Sequence, residues 1–366
     1  MRILAIDMGT GTQDILVFDS EKPVENNVKM VLPSATEIAA RRIRRASAAG
    51  RALVLTGSNQ GGGPCGWALE AFLRDGGTAY ATPSAAVTFD DDLERVTAMS
   101  VRLVSEDEAR ALDGDQVILR DLDLGAIRAA LGAFEESADF DGFALGCLDH
   151  GDAPPGISDR IFRFDHLRRT VSARNDLLAF AARADDLPQY LTRARAMVAS
   201  AASEGPTAFM DTGPAAALGA LHDPRVGEAG EQLVMNLGNM HLLGFHLRGR
   251  RIASLFEHHT GELSVERIEE FAARLTSGAL TNEEIFQSKG HGAYHADRSL
   301  ASSAGPAVVA VTGPQRHRIA ASPLRPYFAA PFGDMMISGC FGLLRGFAEA
   351  YPEWRDVMDA RLGPLA

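Results

Sequence analysis

Cysteine is scarce in this 366-residue chain, positive charge is outweighed, and long apolar runs are missing. Each shortage removes a class of protein. Three cysteines, Cys65, Cys147 and Cys340, stand far apart, and an odd, sparse set makes no disulfide framework but suits a reducing compartment. No uncharged apolar stretch approaches the ~18 residues of a membrane span. The first apolar residues meet Asp7 too soon for a signal peptide, so a soluble cytoplasmic protein without a membrane partner is expected. A formal net charge of -12 repels backbone phosphates and argues against nucleic acid as a partner. The one dense basic cluster, RRIRR at Arg41–Arg45, follows Ser34 and Glu37 in a capping-box pattern and reads as the solvated face of a helix. The glycine-rich stretch TGSNQGGGP, Thr56–Pro64, lacks the Lys-Ser/Thr pair of a P-loop and the spacing of a dinucleotide fingerprint. It reads either as a loop shaping an acceptor pocket or as a plain strand-to-helix connection.

Strand-like and helix-like segments alternate along the chain, which predicts an α/β protein, and the length suggests about two domains. Ile3–Ile6 and Ile15–Phe18 read as a hairpin around a glycine turn, with Val28–Leu32 as a third strand. A helix is expected from Ser34 to Ala49, strands at Ala52–Leu55 and Gly142–Leu148, and a helix over Asp123–Phe134. The Ala- and Leu-rich segment Arg174–Ser203 predicts two helices split near Pro188. The pattern then restarts: a strand at Thr207–Met210, a second glycine-turn hairpin within Gln232–Phe256, helices carrying Ile268 and opening at Thr281, a buried strand at Ala307–Pro314, and a small-residue helix over Asp334–Ala350. Two such halves suggest duplication, with residues 1–205 and 206–366 as the domains and the last helix packing back on the first.

Asp7-Met8-Gly9-Thr10-Gly11-Thr12 resembles the first phosphate motif of the actin, sugar kinase and heat-shock chaperone ATPase superfamily. MDTGPAAALGAL, Met210–Leu221, resembles its connecting motif, NLGNMHLLGF, Asn236–Phe245, takes the place of its second phosphate motif, and VVAVTGP resembles its adenosine motif. The resemblance implies two duplicated actin-like (ribonuclease H-like) domains facing a nucleotide cleft. It also implies ATP and Mg²⁺ as cofactors and phosphoryl transfer to a small molecule, or ATP hydrolysis, as the activity. Asp7 would help hold Mg²⁺, and Gly9, Thr10, Gly11 and Thr12 would cradle phosphate together with Asn236, Gly238, Asn239 and His241. Gly313 would let adenosine approach. More narrowly, NLGNMHLLGF, FEHHTGEL and KGHGAYH resemble a prokaryotic family labelled pyruvate formate-lyase-activating protein. An activator of that kind needs a tight three-cysteine motif for its iron–sulfur cluster, and Cys65, Cys147 and Cys340 offer no such spacing, so no cluster is expected.

The residues also carry their own chemistry. A glycine-rich turn exposes N–H groups to an anion, and a carboxylate oxygen suits a hard cation such as Mg²⁺. Asp211 reads as the base that activates an acceptor or water, or as a helix N-cap; Asp149 is the second candidate base. Asn236 stands where the superfamily has an aspartate and brings no charge to a metal, which leaves room for a nucleotide-sensing or partner-activating protein with little turnover. His258, His259, His291 and His295 could bind a metal such as Zn²⁺ or line a polar cleft, so a metal-dependent enzyme is a third class. The acceptor, small molecule or protein, and the oligomeric state, a homodimer among the options, stay open.

Overall fold

Continuous burial builds the first sheet, because successive residues of its strands enter cores on opposite faces, Ile3 and Ala5 on one and Leu4 and Ile6 on the other. β1 (Arg2–Met8) and β2 (Thr12–Asp19) form the hairpin, with Ile3 opposite Phe18 and Asp7 opposite Asp14, and β3 (Val28–Pro33) pairs antiparallel to β2. The computed structural model describes residues 1–301 and 305–365. After β3 comes the helix Ala35–Ala48, capped by the Ser34 hydroxyl, which accepts from the Glu37 amide. Its Arg41, Arg42, Arg44 and Arg45 are exposed. A four-stranded parallel sheet is inserted next, from β4 (Leu53–Gly57), β5 (Ala79–Ala81), β6 (Val101–Leu103) and β7 (Asp115–Leu119), in the order β6-β5-β4-β7. It has a core of its own under the Ser34-capped helix, including Ile43, Leu53, Leu69 and Val117.

The chain then returns to the first sheet through β8 (Gly142–Cys147), β9 (Ala181–Arg183) and β10 (Thr207–Met210). The sheet order is β3-β2-β1-β8-β10-β9, with β8 and β10 parallel to β1. The second sheet contains β11 (Gln232–Leu237), β12 (His241–Arg248), β13 (Arg251–His259), β14 (Gly292–His295), β15 (Val308–Thr312) and β16 (Tyr327–Phe328). Its order is β14-β13-β12-β11-β15-β16. With β14 and β9 set aside as edge additions, each sheet is an antiparallel meander of three strands whose first strand is extended by two further parallel strands in series, β8 then β10 in one and β15 then β16 in the other. That repeat is the duplicated, ribonuclease H-like architecture of the actin-like ATPases.

The main core lies between the sheets and draws on both halves, for example Leu16, Phe18, Val234, Phe245, Phe341 and Phe347. The small-residue helix Ser338–Ala350 lies on β1, β8, β9 and β10, although its sequence position belongs to the second half. β10 lies past Gly205 and still belongs to the first sheet, so the chain changes sheets only after the helix Thr212–Ala220. One expectation is corrected. Arg174–Ser203 does not form two helices: Leu177–Phe180 is a 3-10 turn, Ala181–Arg183 pairs with β10 as an edge strand, and only Thr192–Ala199 is α-helical. Pairing with an open sheet edge outweighs the helix propensity of alanine and leucine there.

Candidate functional site

The two glycine turns are copies of one another in space. Asp7 to Thr12 ends β1 and opens β2, while Asn236 to His241 ends β11 and opens β12. In each, the first glycine amide donates to the carbonyl three residues on: Gly9 N to Thr12 O and Gly238 N to His241 O, both at 2.9 Å. Asp7 therefore corresponds to Asn236, Thr10 to Asn239 and Thr12 to His241. The turns face each other closely enough that a Cβ on Gly11 would overlap the Asn239 side-chain amide. Together they line a solvent-open cleft of about 790 Å³, which Thr212, Gly313, Met335, Met336, Ser338 and Gly339 complete. Gly313, at φ 90, ends β15 beside Leu237, where a side chain would run into the Leu237 carbonyl.

Two carboxylates line this cleft. Asp7 accepts from the Thr212 hydroxyl at 2.5 Å. Burial pushes its carboxyl up to about 7, with the Thr212 hydrogen bond opposing and the charge of Asp211 adding to the rise. Asp14 sits directly across the strand pair, and burial, then the charge of Asp7, push its carboxyl up to about 8. Asp14 Oδ1 is buried without a hydrogen-bond partner. An orphaned oxygen beside a second desolvated carboxylate is the donor set a hard cation such as Mg²⁺ would satisfy, so the residues fit that ion. Above about pH 8, where both carboxyls are ionised and no cation is bound, the like charges oppose each other, so Asp14→Asn is expected to stabilise the ligand-free protein there by up to about 1 kcal/mol, and the gain should fade as pH drops below 7. A denaturant midpoint that stays put or falls would show that no such repulsion exists.

A second pocket adjoins the cleft and shares Gly9, Thr10, Leu148, Arg193, Met240 and His241 with it. Its far wall is the TGSNQGGGP loop, where Asn59 to Gly63 lead into the helix Gly63–Arg74. The inserted sheet thus places the glycine loop over the cleft mouth. Arg193 sits between the two spaces, its charge balanced by Asp121 through bonds of 2.7 and 3.0 Å, while it also donates to the Leu148 carbonyl at 2.6 Å. Asp149 lines this pocket. Its oxygens accept from Gly151 N at 2.8 Å and Ala194 N at 2.9 Å, and its carboxyl is nevertheless raised by burial. Asp91, at the rim, is pushed up to about 6 by partial desolvation and by Asp152 and Asp149.

Asp211 lies elsewhere. It caps the helix Thr212–Ala220 through the Gly213 amide at 3.1 Å, and the Arg163 guanidinium grips both its oxygens. Arg163 is wholly buried, and it also donates to both oxygens of Glu257 and to the Asp149 carbonyl at 3.2 Å. Asp211 lines neither pocket. A carboxylate occupied in this way is poorly placed to act as a base, so the N-cap reading describes its geometry and the base reading does not.

The histidines sort differently from their order in the sequence. His259 stands opposite His241 on neighbouring strands, whereas His258, one residue earlier, points to the other face. There His258 meets Ser288 Oγ and the His259 carbonyl, each at 3.1 Å. His295 bonds the Leu280 carbonyl at 2.6 Å. His291 and His295 do not share a helix face, because Gly292–His295 is a strand. Among the described residues the group that does converge is His150, His241 and His291, each of which brings one ring nitrogen within 4.8 Å of the others'. His150, Asp14, Asp91 and Arg193 escape a reading by local motif. Asp14 leaves one signal, a carboxylate at the head of the apolar run of β2, opposite Asp7.

Residues 60–318 match the family described as "Putative pyruvate format-lyase activating enzyme (DUF1786)". The chain belongs to this family. An iron–sulfur cluster does not fit its thiols: Cys65, Cys147 and Cys340 are each buried in a different core cluster. No curated protein matches the chain. Among solved structures, the chain is similar to the ROK hexokinase from Thermus thermophilus at 13% identity, covering 96% of this chain and 99% of that one with a TM-score of 0.30. It is also similar to "Lmo2764 protein, a putative N-acetylmannosamine kinase" from Listeria monocytogenes, at 12% identity over 96% and 100% of the two chains with a TM-score of 0.33. Such loose overlaps carry no weight here, and the actin-like assignment of this family member rests on its two strand orders.

Proposed function

We propose that the cleft binds a nucleoside triphosphate, ATP by the resemblance of its motifs, with Mg²⁺, and that the terminal phosphoryl passes to a small molecule in the adjoining pocket or to water. The supporting observation is the paired turns, which bring two sets of backbone N–H groups to one cleft beside two desolvated carboxylates. Bound magnesium would offset the charge on the phosphates. Asp7 and Asp14 would hold that ion, the turn amides would take phosphate oxygens, and Gly313 would leave room for the base and sugar. In the adjoining pocket Asp91 is the carboxylate suited to accept a proton from an acceptor hydroxyl, because its raised pKa lies near working pH. Asp149, fixed by two backbone amides, would orient the acceptor. We keep residues 1–205 and 206–366 as the two functional halves that close on each other, with β10 of the second half built into the first sheet and the helix Ser338–Ala350 packed on it.

A second reading has a specific observation in its favour. Asp211 is neutralised by Arg163, and Asn236 adds no charge, so the site is short of the groups that drive fast turnover. On that reading the protein senses the nucleotide and changes shape without consuming it.

One set of melting curves and one turnover assay test both. Chelator-treated protein should melt higher with Mg²⁺-ATP than with ATP alone, and at a ligand concentration of 100 times Kd the gain is ~2.7 kcal/mol. Asp7→Ala should abolish the Mg²⁺-dependent part. Phosphate release separates the two readings: turnover supports the enzyme, and a shift without turnover supports the sensor. If ATP shifts neither protein, the nucleotide proposal is wrong.

A further inference from the structure

Four imidazoles from distant parts of the chain meet where the cleft and the second pocket join. His150 follows β8 in the first half, while His241, His259 and His291 come from the second. Ring centroids are 5.2 Å apart for His241 and His291, 5.4 Å for His150 and His241, 5.6 Å for His150 and His291, and 4.7 Å for His259 and His291. His291 is 1% exposed, yet neither of its ring nitrogens has a hydrogen-bond partner, and His241 Nε2 is orphaned as well. A core histidine that served only packing would be expected to find partners, since an unmet buried polar atom costs about 1–3 kcal/mol. His258 on β13 and His295 on β14 do find them.

We propose that His150, His241 and His291 bind one divalent transition-metal ion of the zinc class, with His259 packed beside them. The donor chemistry suits such an ion, because neutral imidazole is a borderline ligand that Zn²⁺ and its neighbours favour over Mg²⁺. Burial first, and then the neighbouring charges and imidazoles, push His150 down to about 3 and hold His241 and His291 well below the ordinary histidine range. Their lone pairs are therefore free at neutral pH. The nearby cations do not repel the ion at full strength: Arg163 is paired with Asp211 and Glu257, and Arg193 with Asp121. Bonds of roughly 2.0–2.1 Å to a tetrahedral ion set donors about 3.4 Å apart, so nitrogens that lie within 4.8 Å of one another need draw in by at most about 1.4 Å. Three protein ligands leave a coordination position open, and His150 and His241 both border the second pocket. The ion would also tie a ligand of the first half to two of the second.

This proposal does not depend on nucleotide binding, and its test is metal chemistry. Zn²⁺ titrated into the chelator-treated full chain, in competition with a colorimetric chelator, should bind at one equivalent. His291→Ala and His150→Ala should each weaken that binding by at least about 100-fold, since loss of an outer partner alone costs 10–100-fold. His317→Ala, at an exposed histidine, should leave it unchanged. Co²⁺ added to the unmodified chain should give visible ligand-field bands that saturate at one equivalent, which decides the matter even if the histidine variants fail to fold. Absence of stoichiometric binding, absence of those bands, or unchanged affinity in both folded variants would overturn the site.

Discussion

Arg163→Met should lower the stability of the protein by about 3–5 kcal/mol, a fall in melting temperature on the order of 10 °C. Arg163 is the largest wholly buried side chain, and it joins three places that the fold must hold together. It donates to the carbonyl after β8, to the carboxylate that caps the helix Thr212–Ala220, and to Glu257 on β13 of the opposite sheet. Burial alone would lower its pKa, but Asp211 and Glu257 outweigh that and push it up, so the guanidinium stays charged. Removing it strands two carboxylates in a dry interior. The pair, rather than the loss of one contact, makes the effect large, because an uncompensated buried charge costs more than an ion pair contributes. Neutralising the partners should therefore recover most of the loss: Arg163→Met with Asp211→Asn and Glu257→Gln should melt well above Arg163→Met alone. A single variant that melts with the wild type would mean that water reaches these carboxylates and the network is not closed.

The same network marks where the sequence stops being readable. Both glycine turns, the hairpins around them and the helix opening at Thr281 are legible, because each is decided by residues within a few positions of one another. Arg163 lies 48 residues from Asp211 and 94 from Glu257, and no local pattern in its helix announces either partner. His150 is separated from His241 and His291 in the same way, so the histidines that looked grouped by sequence, His258 and His295, were not the ones that meet. Strand alternation explains the first error, since adjacent residues of β13 face opposite sides. The inserted sheet went unseen because β5 and β6 are only 3 residues each, too short for a periodic signal. Asp14 was hidden inside a strand, and only its cross-strand pairing reveals that it faces Asp7.

Gly219→Ala is expected to be strongly destabilising, although it adds one methyl group. The helices Thr212–Ala220 and Ser338–Ala350 cross backbone against backbone: a Cβ on Gly219 would overlap the Ser338 carbonyl, and one on Gly342 would overlap the carbonyl of Ala215. No flexible side chain lies there to turn aside, so the helices must separate and the packing on both sides loosens, at a cost of about 1–3 kcal/mol or more per added group. Gly342→Ala should behave alike. Gly339→Ala, one turn nearer the cleft, provides the contrast. Its Cβ would meet the Asp7 carboxylate, a side-chain end that can move, so the fold should survive better while the cation site is displaced. Thermal unfolding of the three variants, with Mg²⁺-ATP added to each folded protein, separates the two effects. Gly219→Ala and Gly342→Ala should lose stability first, and Gly339→Ala should lose the magnesium-dependent shift first. Equal stability in all three would mean that the helices already stand far enough apart to accept a side chain, and that the closing helix does not fix the position of Asp7.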